Sequence, residues 1–189
     1  MAANQSIAPF PDHIDRDHFG WWLSGLTDGE GCFFLGVYSP RGIQEPRAKF
    51  AIGLRQDDEP ILRQIQSYFG CGSIYAGNYK RRTTNAKPDY SFRLVRIVDC
   101  LQAVRFFDGH PLRSKKANDF IIWKQAVHLM DRVSCRRRSG ARKWTYSDLD
   151  QFCHLHAELR RIRKFTLSPV VIAAHSPTPS QEIQLPFHW

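Results

Sequence analysis

The stretch Trp21-Trp22-Leu23-Ser24-Gly25-Leu26-Thr27-Asp28-Gly29-Glu30-Gly31-Cys32-Phe33 leaves a chain few options. It reads as a short helix ending on a glycine-flanked carboxylate and passing at once into an apolar, strand-like segment, Phe33 to Tyr38. Phe19, Trp22, Leu23 and Leu26 fall at i, i+3, i+4 and i+7 and predict one buried helical face. The opposite side carries Ser24, Gly25, Asp28 and Gly29, so another backbone can come close and a partner helix is expected there. Gly29 and Gly31 predict a sharp turn that leaves Glu30 at the helix C-terminus. A carboxylate is disfavoured at the negative end of a helix dipole and becomes favourable where a cation sits. The plainer reading of the stretch by itself is an amphipathic helix closed by a glycine cap.

Composition narrows the class. The 189 residues suit one domain, and 42% hydrophobic with 13% aromatic content is ample for a core. A net charge of +9 and a pI near 9.6 favour a polyanionic partner, nucleic acid before membrane, since no apolar run approaches spanning length. Five scattered cysteines (Cys32, Cys71, Cys100, Cys135, Cys153) predict reduced, buried thiols and an intracellular setting: a bacterial or phage-host cytoplasm, or an organelle matrix. Cys153-His154-Leu155-His156 has no second ligand pair and reads as helix packing rather than a metal site. The first residues lack a charged start followed by an apolar run, so no secretory leader is expected.

Taken in order, residues 1–17 are polar and expected to be loosely ordered. The first helix should begin near His18. Strands are predicted at Phe33–Tyr38 and about Arg47–Arg55, joined through Ser39-Pro40-Arg41-Gly42, with Phe50, Ile52 and Leu54 on one face against Lys49, Ala51, Gly53 and Arg55. Asp57-Asp58-Glu59-Pro60 opens a helix with Ile61, Leu62, Ile65 and Phe69 inward, ending at Gly70. Strands Ser73–Arg82 and Tyr90–Ile97 follow, then a helix over Val98–Phe107 carrying Leu101, Val104 and Phe107. A long helix is expected from about Ser114 to Met130. Arg132, Arg136, Arg137, Arg138, Arg142 and Lys143 form a basic loop suited to phosphates. Ser147 and Asp150 predict a capping box for a last helix reaching about Lys164, and Ser176 to Trp189 reads as an extended tail. The domain thus spans 18–165, with a core over 19–130, a helical extension over 131–165 and a tail over 166–189.

Leu23 to Gly31 reads LSGLTDGEG and resembles the nine-residue LAGLIDADG signature of a homing endonuclease family, with matches at Leu23, Gly25, Leu26, Asp28 and Gly31 and Glu30 in the place of the second acid. His110-Pro111-Leu112-Arg113-Ser114-Lys115-Lys116 also resembles that family, in which a proline-leucine loop delivers one or two lysines towards the cleavage centre. The resemblance covers about Phe19 to Met130. It implies an α+β, αββαββα homing-endonuclease fold whose curved four-stranded antiparallel sheet binds DNA in the major groove, with C-terminal helices added here.

The resemblance further implies a site-specific endonuclease acting in intron homing. With one signature copy, a homodimer is expected, its seam lined by Trp21, Ser24, Gly25 and Asp28, and its target pseudopalindromic. Two Glu30 carboxylates would meet there and, with the Gly29 carbonyl, hold a hard divalent cation. Mg²⁺ is the expected ion, with Mn²⁺ able to substitute and Ca²⁺ binding without supporting cleavage, and the product is a staggered double-strand break. Lys115 and Lys116 are candidates to polarise water or balance phosphate charge, and Arg55 or Gln56 is the polar candidate at the end of the second strand, where an ungapped reading puts Leu54 in the place of the usual glutamine. DNA contacts are expected from Tyr38, Arg41, Gln44, Arg47, Lys49, Tyr75, Asn78, Lys80, Arg81, Arg82, Arg93 and Arg136 to Arg138. Two alternatives keep the basic surface without cleavage: an intron maturase or DNA-binding regulator on the same fold, and an RNA-binding protein with no metal chemistry.

Overall fold

The computed structural model describes residues 7–39, 45–77, 89–138 and 144–164, with 136–138 by backbone alone. Asp15 accepts a hydrogen bond from the His18 N–H at 2.8 Å and so starts α1, Arg16–Glu30, two residues before the predicted start. Strand β1, Gly31–Tyr38, follows directly. The order then runs β2 (Glu45–Arg55), a 3₁₀ turn at Gln56–Asp58, α2 (Glu59–Phe69), β3 (Ser73–Ala76), β4 (Asp89–Leu94), α3 (Ile97–Gly109), α4 (Lys116–Arg138) and α5 (Tyr146–Ile162). This is the expected α+β order of αββαββα with further C-terminal helix.

The strands form one antiparallel sheet in the order β1-β2-β4-β3. One face carries Phe33, Leu35, Ala48, Phe50, Ile52, Phe92 and Leu94, all buried. Helices α3 and α4 close that side: Phe107 meets Phe33 and Phe50 edge-on at 5.4 Å, and the fully buried Trp123 lies 5.3 Å from Phe33. Apolar alternation along β2 and β4 therefore pins the register and turns the opposite face outward.

Several boundaries differ from the sequence reading. Strand β4 stops at Leu94 because Arg96 grips Asp99 through two 2.8 Å hydrogen bonds and closes the first turn of α3. Helix α4 continues beyond Met130 because Ala126, Met130 and Val133 extend its buried stripe at i, i+4 and i+7. Arg132 and Arg136 to Arg138 thus stand on helical backbone rather than in a loop, and Arg132 reaches Gln151 of α5 at 3.3 Å. The capping box of α5 uses Thr145 and Asp148, two residues before Ser147 and Asp150, with Leu155 turned inward and Cys153 and His154 outward. Only Cys100 among the five cysteines is buried; burial pushes its thiol up to about 12, whereas Cys32, Cys135 and Cys153 are exposed.

The end of α1 shows why a glycine follows Glu30. Gly31 has φ −73° and ψ 153°, ordinary extended backbone, so no left-handed turn is made. A Cβ there would lie 2.4 Å from Thr27 Cγ2 and 2.7 Å from Thr27 O. Thr27 is fully buried and cannot retreat. Gly31→Ala is accordingly expected to cost about 1–3 kcal/mol through overpacking, measured as a fall in denaturant midpoint at unchanged slope.

Candidate active site and nucleic-acid face

Helix α1 buries Phe19, Gly20, Leu23, Ser24 and Thr27. This stripe is rotated from the predicted one: Trp22 is 44% exposed and Leu26 only half-buried. The cause is the loop after α3, which lies against the small residues of the helix. A Cβ on Gly20 would come within 2.4 Å of His110 Nε2, and Ser24 Oγ donates to the His110 carbonyl at 3.0 Å. Ser24, expected at the seam, is therefore used up inside the chain. The open strip is instead Trp21, Trp22, Gly25 and Gly29, at i, i+1, i+4 and i+8, and a Cβ at either glycine would meet nothing within 4 Å.

Asp28 is also engaged within the chain. Its carboxylate accepts from the Arg113 N–H at 2.8 Å, the Ser114 N–H at 3.2 Å and the Ser114 hydroxyl at 2.7 Å, so it caps the approach to α4. Burial pushes this carboxyl up, but those hydrogen bonds and the Lys116 charge outweigh it and hold the carboxyl below its ordinary 3.8. Lys116 returns the favour: its ammonium donates to the Gly29 carbonyl at 2.7 Å and the Thr27 carbonyl at 3.2 Å. Helix α1 has no basic residue of its own in its last turn, and α4 supplies one. The two helix ends cap each other.

Glu30 is the last residue of α1 and its side chain is exposed. Lys116 is anchored on the residue before it, whereas Lys115 points into solvent. Arg55, at the same end of the sheet, is held by Asp57 through contacts of 3.0 and 2.5 Å, and Gln56 is exposed at the start of the 3₁₀ turn. Leu54 packs half-buried against the core, so it is not the polar group of that strand end. The Gly29 oxygen accepts from Lys116 but has a second lone pair. The Glu30 carboxylate and the Gly29 carbonyl are both hard oxygen donors, the type that a divalent cation takes.

The outward sheet face follows from the register: Phe34 opposite Lys49, Gly36 opposite Arg47, Tyr38 opposite Glu45, Ala51 opposite Arg93, and Ser73 and Tyr75 beside Arg93 and Ser91. Tyr38, Arg47, Lys49, Tyr75 and Arg93 all fall on it, and the Arg93 guanidinium stacks 4.7 Å above the Tyr75 ring. Arg41, Gln44, Asn78, Lys80, Arg81 and Arg82 lie outside the described residues, as do the side chains of Arg136, Arg137 and Arg138. Phe34 and Ser73 join the face without having been predicted there; the same period-two alternation that placed Lys49 could have found them.

Together these features define a class: an α+β protein with an acid-tipped helix end at the rim of a basic antiparallel sheet. The chain belongs to the LAGLIDADG endonuclease family, whose profile matches residues 23–127. A Podospora anserina protein described as "Uncharacterized 50.9 kDa protein in ND4 intron 1" is 33% identical over 115 residues, covering 58% of this chain and 24% of that protein. The Schizosaccharomyces pombe "Probable intron-encoded endonuclease Cox1-I1b" is 30% identical over 117 residues, covering 60% and 28%. The chain spans about a quarter of the length of these relatives. Among solved structures, the homing endonuclease I-TnaI aligns with a TM-score of 0.58 and 26% identity over 79% of this chain and 95% of that one. I-CpaMI, solved bound to uncleaved DNA, aligns with a TM-score of 0.61 and 22% identity over 82% and 49%.

Proposed function

We propose that this chain is a site-specific DNA endonuclease that works as a homodimer and cuts one phosphodiester in each strand with a divalent metal. The observation that carries the reading is the placement of Glu30: exposed, at the end of a helix whose outer strip is open beside Gly25 and Gly29, and next to an ammonium tied to that helix end. The open glycines let a second copy of α1 approach along a two-fold axis. Two Glu30 carboxylates then meet, and their mutual repulsion is relieved by cations.

Glu30 and the Gly29 carbonyl would hold Mg²⁺, which when bound lowers the pKa of an attacking water and stabilises charge on the scissile phosphate. Lys116, fixed on two carbonyls, holds positive charge where a phosphate would sit without needing to reorganise. Tyr38, Arg47, Lys49, Tyr75 and Arg93 face a DNA major groove in this reading and supply base-edge and phosphate contacts.

Incubating the protein with a randomised, partly palindromic DNA library tests the proposal. Staggered cuts at one pseudopalindromic site are expected with Mg²⁺, and binding without cuts with Ca²⁺. Tight binding with no cuts under Mg²⁺ or Mn²⁺ would overturn the nuclease in favour of the maturase or regulator on the same fold.

A further inference from the structure

Among the described strand residues on the outward sheet face, Phe34 is the one large side chain with no polar atom, and it is 41% exposed. Its ring lies across Gly36: a Cβ there would come within 2.7 Å of Phe34 Cζ and 2.9 Å of Cε1. The glycine provides the bed on which the ring rests. From the opposite strand, the Lys49 ammonium stands 5.0 Å from the ring centroid, so the aromatic also fixes where that cation points. An exposed phenyl ring would be a liability on a face made only for phosphates.

The major groove offers donors and acceptors on every base pair, and one apolar group, the C5-methyl of thymine. Arginine and lysine suit the acceptors of guanine; a bare aromatic ring suits the methyl. We infer that Phe34 is a specificity-determining residue that reads a thymine methyl in each half-site, with Gly36 as the space that lets the ring lie flat. This deepens the endonuclease reading and rests on it. Phe34 selects the base, and Lys49 is a positioned neighbour that reads beside it.

The test selects bound DNA from the randomised library in Ca²⁺ and then replaces each thymine of the selected site by deoxyuridine, which removes only the methyl. Wild-type protein is expected to lose about fourfold in affinity at one half-site position, the size expected for one buried methyl-sized group. Phe34→Ala and Gly36→Ala should bind thymine and deoxyuridine equally at that position and keep the preferences of the wild type elsewhere. Gly36→Ala leaves the phenyl ring in the chain and only displaces it, so it separates ring placement from ring loss. A selected site with no deoxyuridine-sensitive position, or one whose sensitivity survives Phe34→Ala, overturns the assignment. Selection of no DNA at all would overturn the endonuclease reading itself, and this inference with it.

Discussion

Glu30→Gln is expected to lower cleavage by on the order of 10³-fold or more, while metal-free DNA binding stays within about twofold of wild type. The substitution keeps the length and shape of the side chain and removes only its charge. Among the described residues, two neighbouring acids are already engaged. Asp28 already accepts three hydrogen bonds from the approach to α4, and Asp57 is paired with Arg55. Among the described residues, no group of three histidine, cysteine, aspartate or glutamate side chains gathers to hold a cation. In the proposed reading, each protomer brings one carboxylate, that of Glu30, to the centre. Gel-resolved cleavage of the selected site under Mg²⁺, beside filter binding in chelator, reads both quantities. Persistent cutting by Glu30→Gln would place the metal on other residues.

How far the sequence could be read follows from which forces act locally. The apolar alternation of β2 and β4 was legible, because burial of Phe50, Ile52, Phe92 and Leu94 fixes a side for every neighbour, including Lys49 and Arg93. The element order was legible for the same reason. What the pattern could not show was which small residues of α1 serve the chain itself. Ser24 and Gly25 are adjacent and equally small, yet the loop at His110 claims Ser24 and leaves Gly25 open. That distinction depends on contacts 86 residues apart in sequence. Likewise Lys115 and Lys116 differ only in which side of the α4 start they occupy, and the α1 carbonyls select Lys116.

The mutual cap between α1 and α4 makes a prediction of non-additivity. Asp28→Ala removes the acceptor for Arg113 and Ser114, and about 1–2 kcal/mol of stability with it, the usual scale for a lost helix cap. Because the Asp28 carboxyl is held below its ordinary value, this contribution is present above pH 3.8 and lost as the pH falls below it through the folded value. Lys116→Met removes the ammonium from the α1 end and is expected to slow cleavage by on the order of 10²-fold at unchanged KM. If Asp28 acts by placing Lys116, then in Asp28→Ala the lysine is already misplaced, and cleavage falls by a similar factor. The double variant should then be hardly slower than Lys116→Met alone, whereas independent roles would multiply the two losses. Single-turnover rates of the four proteins at saturating DNA, measured well below the melting temperature of each, decide between the two. A full product of the single effects would show that Asp28 contributes to cleavage independently of Lys116, and an Asp28→Ala protein as fast as wild type would show that Asp28 serves stability only.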